Sequence, residues 1–312
     1  MARDLQFGID LGGTKTEIMV LDSDGQVRFG ARVATPSQDY QVILQTIASL
    51  VRQAQVALSA KAPALGVGAP GTPFGAEGRL KNANTTCLIG QPLATDLQAL
   101  LQIPVAVAND ANCLVLSEAT DGAGADAAVV FGVILGTGVG GGLCVHQQLV
   151  DGPNRISGEW GHNPLPHWFT EQHGSSPARA CYCGKSNCIE TYLSGKGLCE
   201  THAELNPAPL ALTDASAIAM AAAEGDQAAQ QTLNRYYDAL AQALATVINV
   251  VDPDVMVFGG GLSKLPGLCD ALSLRLPQHV FGGDVHTRLA LARHGDASGV
   301  RGAAWLSQSL VS

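Results

Sequence analysis

The chain has 312 residues, longer than the ~100–200 residues of a typical single hydrophobic core, and its length therefore predicts two domains. Hydrophobic residues make up 46% of it and charged residues 14%, a composition typical of a globular protein and not of a disordered one. The formal net charge is -9 and the Lys and Arg residues form no cluster, which argues against nucleic-acid binding through a basic face.

The sequence also bears on the cellular compartment. The opening residues lack the apolar core of a secretion signal, and no uncharged apolar run reaches the ~20 residues of a membrane span. We therefore expect a cytoplasmic protein with no membrane partner, in which thiols stay reduced. Most of the 8 cysteines stand alone and are interpreted as small buried hydrophobic residues, namely Cys87, Cys113, Cys144, Cys199 and Cys269.

Two similar series of strands begin the two halves of the chain. The first has a strand at residues 7–9, a glycine-rich turn, a strand at Thr16–Leu21 and, after the turn-forming residues DSDG, a third strand. The second runs from a strand ending at Leu135 through another glycine-rich turn to a strand near residues 143–145, then a turn and a strand. We interpret the two series as a weak internal repeat, which agrees with two domains.

Helices and further strands alternate between and after these series. Apolar residues recur at helical spacing in residues 40–58 and 233–251, and a shorter helix is predicted at Ala111–Ala119. Asp252-Pro253 ends the longest of these helices. Short apolar segments predict strands within residues 64–71, 104–108 and 254–262. The alternation favours an α/β fold with mixed sheets.

Three glycine runs follow predicted strands, at Asp10–Lys15, Leu135–Gly142 and Gly259–Gly261. Glycine allows positive φ and close backbone approach, so that successive N–H groups can point at one anion, and a threonine in each of the first two runs adds a hydroxyl donor. No Walker sequence is present, and each run alone could be a tight hairpin turn. Together they favour phosphate binding, with Asp10 placed to hold Mg²⁺ beside the phosphates.

Asp110 stands at a predicted junction of strand and helix, in the sequence VANDAN. Asp is a favoured N-cap, because its carboxylate accepts from the N–H groups of the first turn. Those bonds would lower the pKa of the carboxyl and keep it ionised, as a proton acceptor needs to be. The fragment alone is equally compatible with a cap and with a catalytic base.

Three cysteines, Cys181, Cys183 and Cys188, crowd into the short segment CYCGKSNC, downstream of His162 in GEWGH. Three thiolates and one imidazole are a standard tetrahedral ligand set for zinc. The C-x-C spacing is tighter than the common zinc knuckle, and a disulfide or a [2Fe–2S] centre are the alternatives. A reducing compartment disfavours the disulfide, and the spacing favours structural zinc.

These motifs occur together and in a fixed order over nearly the whole chain: IDLGGTK, NDANC, LGTGVGGG, GEWGH, CYCGKSNCIE, DPDVMVFGGGLS and RHGDASGVRGAAWL. The set resembles the ROK family of sugar kinases. Within that family, KNANTT and GEWGHNPLP are most similar to the bacterial fructokinase (manno-fructokinase) branch, followed by the N-acetylglucosamine kinase branch.

The resemblance implies an α/β, actin-like pair of ribonuclease H-like domains with ATP in the cleft between them, and transfer of the γ-phosphoryl group to a hexose 6-hydroxyl. The first domain would comprise residues 1–120 with a C-terminal helix at 297–312, and the second residues 121–296 with the zinc loop. It also implies a homodimer, with ATP, Mg²⁺ and structural Zn²⁺ as cofactors. The preferred sugar is expected to be fructose, with mannose or glucose accepted less well and N-acetylglucosamine poor.

The same matching assigns roles to residues. Asp110 would be the catalytic base. The hexose would be bound by Asn84, Asn109, Asp110, Glu159, His162 and Glu190. The nucleotide would be bound by Gly8, Ile9, Asp10, Leu11, Gly12, Gly13, Thr14, Lys15, Gly136, Thr137, Gly138, Val139, Gly140, Gly141, Gly142, Leu143, Gly260 and Gly261. The zinc ligands would be His162, Cys181, Cys183 and Cys188.

In that arrangement zinc would hold His162 through one ring nitrogen and leave the other directed at the sugar. The chain departs from the family at Asn187, where a glycine is usual, although Asn tolerates left-handed φ better than most residues. A sugar sensor without catalysis and a chaperone-type ATPase are the competing functions. The presence of Asp110 and of both glycine runs favours the enzyme over the sensor, and the cysteine cluster argues against the ATPase.

Overall fold

The computed structural model describes residues 5–75, 77–81, 83, 85–166, 178–206, 212 and 214–311. Its contacts divide the chain into unit 1, residues 1–126, 142–157 and 292–312, and unit 2, residues 127–141 and 158–291. Residues 142–157, which the sequence analysis assigned to the second domain, group with unit 1, where Gly142 packs against Asn112 and Val115. The domain boundaries proposed at residues 120 and 297 remain a prediction.

The strands confirm those predicted from the sequence and add short ones. In chain order they are β1 Gln6–Leu11, β2 Lys15–Leu21, β3 Val27–Ala34, β4 Leu65–Ala69, β5 Thr72–Phe74, β6 Arg79–Lys81, β7 Val105–Asn109, β8 Val129–Leu135, β9 Val139–Val145, β10 Gln148–Leu149, β11 Val255–Gly259 and β12 Arg288–Leu291. β5 and β6 form a separate hairpin.

The helices include the three that the apolar spacing predicted. In chain order they are α1 Tyr40–Leu58, α2 Leu93–Leu101, α3 Asp110–Thr120, α4 Glu190–Leu193, α5 Gly195–Leu205, α6 Ala215–Ala223, α7 Gln227–Val251, α8 Leu268–Arg275 and α9 Ser298–Gln308. The C-cap of α7 is Asp252, which adopts a left-handed φ of 48° just before Pro253. Among the described helices, none is long and apolar enough to span a membrane.

Two five-stranded sheets carry these elements, in the orders β3-β2-β1-β4-β7 and β10-β9-β8-β11-β12. In the first, β1 pairs antiparallel with β2 and β2 with β3, whereas β4 runs parallel to β1 and to β7. In the second, β11 runs parallel to both β8 and β12. Each sheet therefore begins with the predicted series of strand, glycine turn, strand, turn and strand, and the predicted mixed α/β class is confirmed.

The core of unit 1 is built where α1 covers the first sheet. The predicted apolar face of the helix, including Ile43 and Ile47, is buried against Phe7 and Ile9 of β1. Each such side chain contributes roughly 1.5–3 kcal/mol through burial. The carboxylate of Asp39 caps the helix by accepting from the backbone N–H groups of its first turn.

α9 lies unusually close to the first sheet. A Cβ on Gly8 would lie 2.2 Å from the backbone nitrogen of Ala304, and one on Gly66 would lie 1.8 Å from the carbonyl oxygen of Ala303. Only glycine lets the helix backbone approach these strands so closely. Gly8, predicted as a nucleotide ligand, is therefore explained by packing of the helix on β1.

Candidate functional site

Asp110 lies where β7 ends and α3 begins. The residue that caps α3 is Asn109, whose backbone is extended. Its Oδ1 accepts from the Ala111 N–H at 2.8 Å. Of the two roles that the sequence left open for Asp110, the N-cap does not hold, because Asp110 is already the first helical residue. Its Oδ1 accepts the same N–H at 2.9 Å. A change at Asp110 therefore leaves the cap in place.

The pKa of the Asp110 carboxyl is raised, which makes its carboxylate a stronger base. Its side chain is exposed, yet desolvation by the surrounding protein raises its pKa above the ordinary value. The backbone N–H groups of Ala111 and of Asp110 itself lower the pKa and only partly oppose this effect. The sequence predicts a pKa lowered by hydrogen bonding, and the reverse holds because the carboxylate loses more solvation than two backbone N–H groups restore.

Asp10, near the end of β1, is another carboxyl of unit 1 at this end of the sheet. Burial, followed by the negative charge of Asp110, raises its pKa to about 6, and the cations Lys15 and Arg32 oppose the rise. A Cβ on Gly299, in the first turn of α9, would lie 3.3 Å from Asp10 Oδ2, so the helix start approaches the carboxylate closely. Two neighbouring carboxylates of like charge are a suitable setting for a divalent cation.

Asp10→Asn is expected to stabilise the ligand-free protein at pH 7. Folding raises the pKa of Asp10 from 3.8 to about 6. The stability that protonated Asp10 contributes to the folded protein is therefore complete below about pH 4, and it is lost as the pH rises through about 6. The neutral amide avoids that loss, which is worth up to about 3 kcal/mol. Urea unfolding at pH 7 and at pH 4 measures it, and an equal effect at both pH values would contradict the assignment.

The first glycine run forms the turn between β1 and β2, with Gly12 N–H donating to the Lys15 carbonyl at 2.9 Å. Among its predicted nucleotide ligands, residues 8–11 and Lys15 belong to the strands, and residues 12–14 form the turn. Thr85, which no sequence motif indicated, has a buried hydroxyl that lies 3.5 Å from where a Cβ on Gly13 would stand. Within the described residues, this hydroxyl has no hydrogen-bond partner.

The second glycine run forms the turn Gly136–Gly138 between β8 and β9, and two helices hold it. Glu190 Oε2, at the start of α4, accepts from the Val139 N–H at 2.9 Å. The Gly195 N–H, at the start of α5, donates to the Gly136 carbonyl at 2.8 Å. A Cβ on Gly138 would lie 2.7 Å from Glu190 Oε2, which explains the glycine. We call residues 136–138 the hairpin turn.

The third glycine run lies beside the same turn. Gly260 has a φ of 85°, and a Cβ there would lie 2.3 Å from the Leu135 carbonyl oxygen. The predicted ligands at residues 140–143 belong to β9. A pocket of about 470 Å³, which the sequence analysis did not anticipate, opens at the start of α5 and is lined by Gly195, Lys196, Cys199, Glu200, Ala203, Leu212, Asp214 and Ala215.

The predicted metal ligands come together in unit 2. The ligand atoms of His162, Cys181, Cys183 and Cys188 all lie within 4.8 Å of one another. Cys183 Sγ and Cys188 Sγ are 3.6 Å apart, and Cys181 Sγ is 3.5 Å from His162 Nδ1. A tetrahedral zinc ion with Zn–S bonds of ~2.3 Å needs sulfurs about 3.8 Å apart, so the donor set fits this metal. Asn187 takes a φ of 58°, as expected for a glycine-like position.

The thiols of this cluster have unequal acidities. The Lys185 backbone N–H lowers the pKa of Cys183, whereas burial, followed by hydrogen bonds with the other two thiols, raises the pKa of Cys188 to about 12. A bound cation would favour the thiolate form at every one of these positions.

The second ring nitrogen of His162 contacts a residue that the sequence analysis missed. Its Nε2 lies 3.0 Å from the hydroxyl of Tyr182, and the two rings meet edge to face at 5.1 Å. Tyr182 is the middle residue of the C-x-C segment, and its side chain is exposed. The predicted contact of this nitrogen with the sugar remains a prediction.

The remaining predicted sugar ligands are less fully defined. Glu159 precedes a 3₁₀ turn, residues 160–162, which is anchored because Trp160 Nε1 donates to the Gly140 carbonyl at 2.8 Å. Asn109 uses its Oδ1 to cap α3. Asn84 lies outside the described residues.

Comparison with known proteins bears on the branch as well as the fold. An N-acetyl-D-glucosamine kinase of Escherichia coli O139:H28 (strain E24377A / ETEC) is 41% identical over 303 residues, which cover 97% of this chain and 99% of that protein. A relative in Escherichia coli O127:H6 (strain E2348/69 / EPEC) bears the same name at the same identity and coverage. Both of these relatives are named for N-acetyl-D-glucosamine, whereas the segments KNANTT and GEWGHNPLP favoured the fructokinase branch.

Solved structures agree with the predicted fold. The ROK hexokinase from Thermus thermophilus matches with a TM-score of 0.86 at 26% identity, covering 98% of both chains. A ROK family glucokinase from Streptomyces griseus, in complex with glucose and AMPPNP, matches with a TM-score of 0.73 at 27% identity, covering 98% of this chain and 99% of that one. The predicted actin-like sugar kinase fold is thereby confirmed. The sequence profile of the ROK family matches residues 6–309, and the chain belongs to that family.

Proposed function

We propose that this protein transfers the γ-phosphoryl group of ATP to the 6-hydroxyl of a hexose. The observation that carries the proposal is Asp110, an exposed carboxyl of raised pKa at the end of a parallel strand, in a chain of the ROK family. A carboxylate in that position can be reached by a substrate and is a better proton acceptor than an ordinary aspartate.

The reaction proceeds by attack of the sugar O6 on the γ-phosphorus, while the bond from that phosphorus to the bridging oxygen of ADP breaks. Asp110 orients the sugar hydroxyl and accepts its proton. Charge spreads over the γ-phosphoryl oxygens, so catalysis depends mainly on positioning and electrostatic stabilisation. Mg²⁺ accompanying ATP supplies part of that stabilisation, and Asp10 is the carboxylate of unit 1 that would hold it.

Residues of unit 2 have supporting roles in the proposal. The hairpin turn offers N–H groups to the nucleotide phosphates, and the pocket beside α5 is a candidate for the ribose and base. The cluster of His162, Cys181, Cys183 and Cys188 would hold a zinc ion that cross-links its loop. Glu190 follows this loop directly, so its carboxylate would be oriented by the cross-link.

N-acetylglucosamine is the first candidate for the sugar, supported by the name of the relatives at 41% identity. Fructose is the second, supported by the segments KNANTT and GEWGHNPLP, which resemble the fructokinase branch. Both sugars present a primary hydroxyl, so the base does not distinguish between them. The N-acetyl group needs both space and a partner for its amide, and a site built for it would discriminate strongly.

With saturating MgATP, kcat/KM for N-acetylglucosamine is expected to exceed that for fructose, glucose and mannose by ~10²-fold or more. A coupled assay of ADP release on the four sugars measures the order, and the control is ADP release without sugar. If fructose is the best substrate, the chain belongs to the fructokinase branch and the kinase assignment stands. If none of the sugars stimulates ADP release, the proposed function is wrong.

A further inference from the structure

Arg179 directly precedes the segment that carries the three clustered cysteines, residues 180–188, which we call the cysteine loop. Arg179 is buried, with 8% of its surface exposed. Its Nη1 donates to the carbonyls of Thr191 at 2.9 Å and Gly197 at 3.2 Å. Its Nη2 donates to Thr201 Oγ1 at 2.9 Å and lies 3.0 Å from Glu204 Oε2, while its Nε donates to Glu204 Oε1 at 3.3 Å. The five N–H groups of the guanidinium thus match five contacts.

The other end of the same residue closes the cysteine loop. The Arg179 N–H donates to Asn187 Oδ1 at 2.9 Å, and the Asn187 N–H donates to the Arg179 carbonyl at 2.8 Å. Tyr192 donates from its hydroxyl to Asn187 Oδ1 at 3.0 Å and lies under the guanidinium, whose carbon is 4.3 Å from the ring centroid. Residues 180–186 of the cysteine loop are therefore closed by reciprocal hydrogen bonds between Arg179 and Asn187.

The acceptors of the guanidinium belong to the segment that holds the hairpin turn. Thr191 directly follows Glu190, which accepts from the Val139 N–H, and Gly197 lies two residues after Gly195, which donates to the turn. The buried side chain of Arg179 thus connects the cysteine loop to the two helix starts that contact the hairpin turn. None of these contacts requires Arg179 to touch a metal or a substrate.

We propose that Arg179 is a positioning residue that couples the cysteine loop to the hairpin turn. Binding or loss of zinc at the cysteine loop would then affect nucleotide binding as well as the sugar ligands. The nucleotide part of this proposal rests on the proposed function. Lysine cannot replace the arginine, because an ammonium group has three donors and no planar fork to reach acceptors on two helices.

The test compares Arg179→Lys with Arg275→Lys as the matched control. Arg275 is in the same unit, pairs with a carboxylate, Asp238, and lies over a tyrosine ring, Tyr237. Among the described residues, none of its hydrogen bonds or ion pairs reaches the cysteine loop. We expect Arg179→Lys to release zinc to a chromophoric chelator ~10–100-fold faster than wild type and to raise KM for MgATP several-fold more than it changes kcat. Arg275→Lys is expected to stay within about twofold of wild type in both.

A gentler variant, Thr201→Val, removes one acceptor of Arg179 and serves if Arg179→Lys does not fold; we expect a smaller change in the same direction. Unchanged zinc release in the folded variants, or a purified protein without bound metal, would overturn the proposal. Faster zinc release with an unchanged KM for MgATP would overturn the coupling to the turn. Zinc release does not depend on turnover, so it separates failure of this inference from failure of the kinase assignment.

Discussion

Asp110→Asn is expected to lower kcat for sugar phosphorylation by about 10²–10⁴-fold, the usual effect of removing a general base. The amide cannot accept the proton of the sugar hydroxyl, although it is nearly the same size as the carboxylate. The fold is expected to persist, because the cap of α3 is Asn109. The carboxyl has a raised pKa, so its replacement by a neutral group is expected to leave stability at pH 7 unchanged or slightly increased.

Steady-state kinetics and thermal unfolding of the same preparation measure the two parts of this prediction. Asp24→Asn is the matched control, because Asp24 is an exposed carboxylate of unit 1 in the turn before β3. The control is expected to retain wild-type kcat. Activity of Asp110→Asn within a few-fold of wild type would mean that Asp110 has only a structural part in α3.

Cys183→Ser is expected to reduce bound zinc from about one equivalent to a small fraction and to raise KM for the sugar. Structural zinc sites have apparent binding free energies of ~10–16 kcal/mol in small peptides, and a serine hydroxyl is a poor substitute for a thiolate ligand. Loss of the ion would loosen the loop that ends at Cys188. Glu190, two residues later, would then be oriented less well.

Elemental analysis of protein purified without chelators measures the metal. Cys269→Ser is the matched control, since Cys269 lies in α8 of the same unit and is not among the clustered ligands. The control should keep its zinc and its KM. Wild-type protein with less than half an equivalent of zinc would contradict the assignment of the site.

Much of the fold could be predicted because it depends on local patterns. The glycine turns after β1 and β8, and the apolar spacing of α1 and α7, involve residues close in sequence, and the structure agrees with them. The four predicted metal ligands also come together, and three of them could be recognised because Cys181, Cys183 and Cys188 are close in the sequence; their binding of a metal remains a prediction.

The parts that could not be predicted involve residues distant in sequence or balances between opposing effects. The bond between Glu190 and the Val139 N–H joins two segments about 50 residues apart, and no spacing rule indicates it. The direction of the Asp110 pKa shift depends on desolvation by many atoms against two backbone hydrogen bonds, and only the folded protein reveals which prevails. Tyr182 was missed because an aromatic residue between two cysteines has no established pattern.

The close approach of α9 to Gly8 and Gly66 has a consequence for biosynthesis. The strands that carry these glycines are synthesised well before the helix that covers them, because β1 and β4 precede α9 by more than 200 residues. At ~5–20 residues per second, the uncovered surface would wait on the order of 15–60 s for its partner. Unit 1 therefore cannot complete its core until α9 has been synthesised, and the surface of the first sheet that carries these glycines stays uncovered for that time.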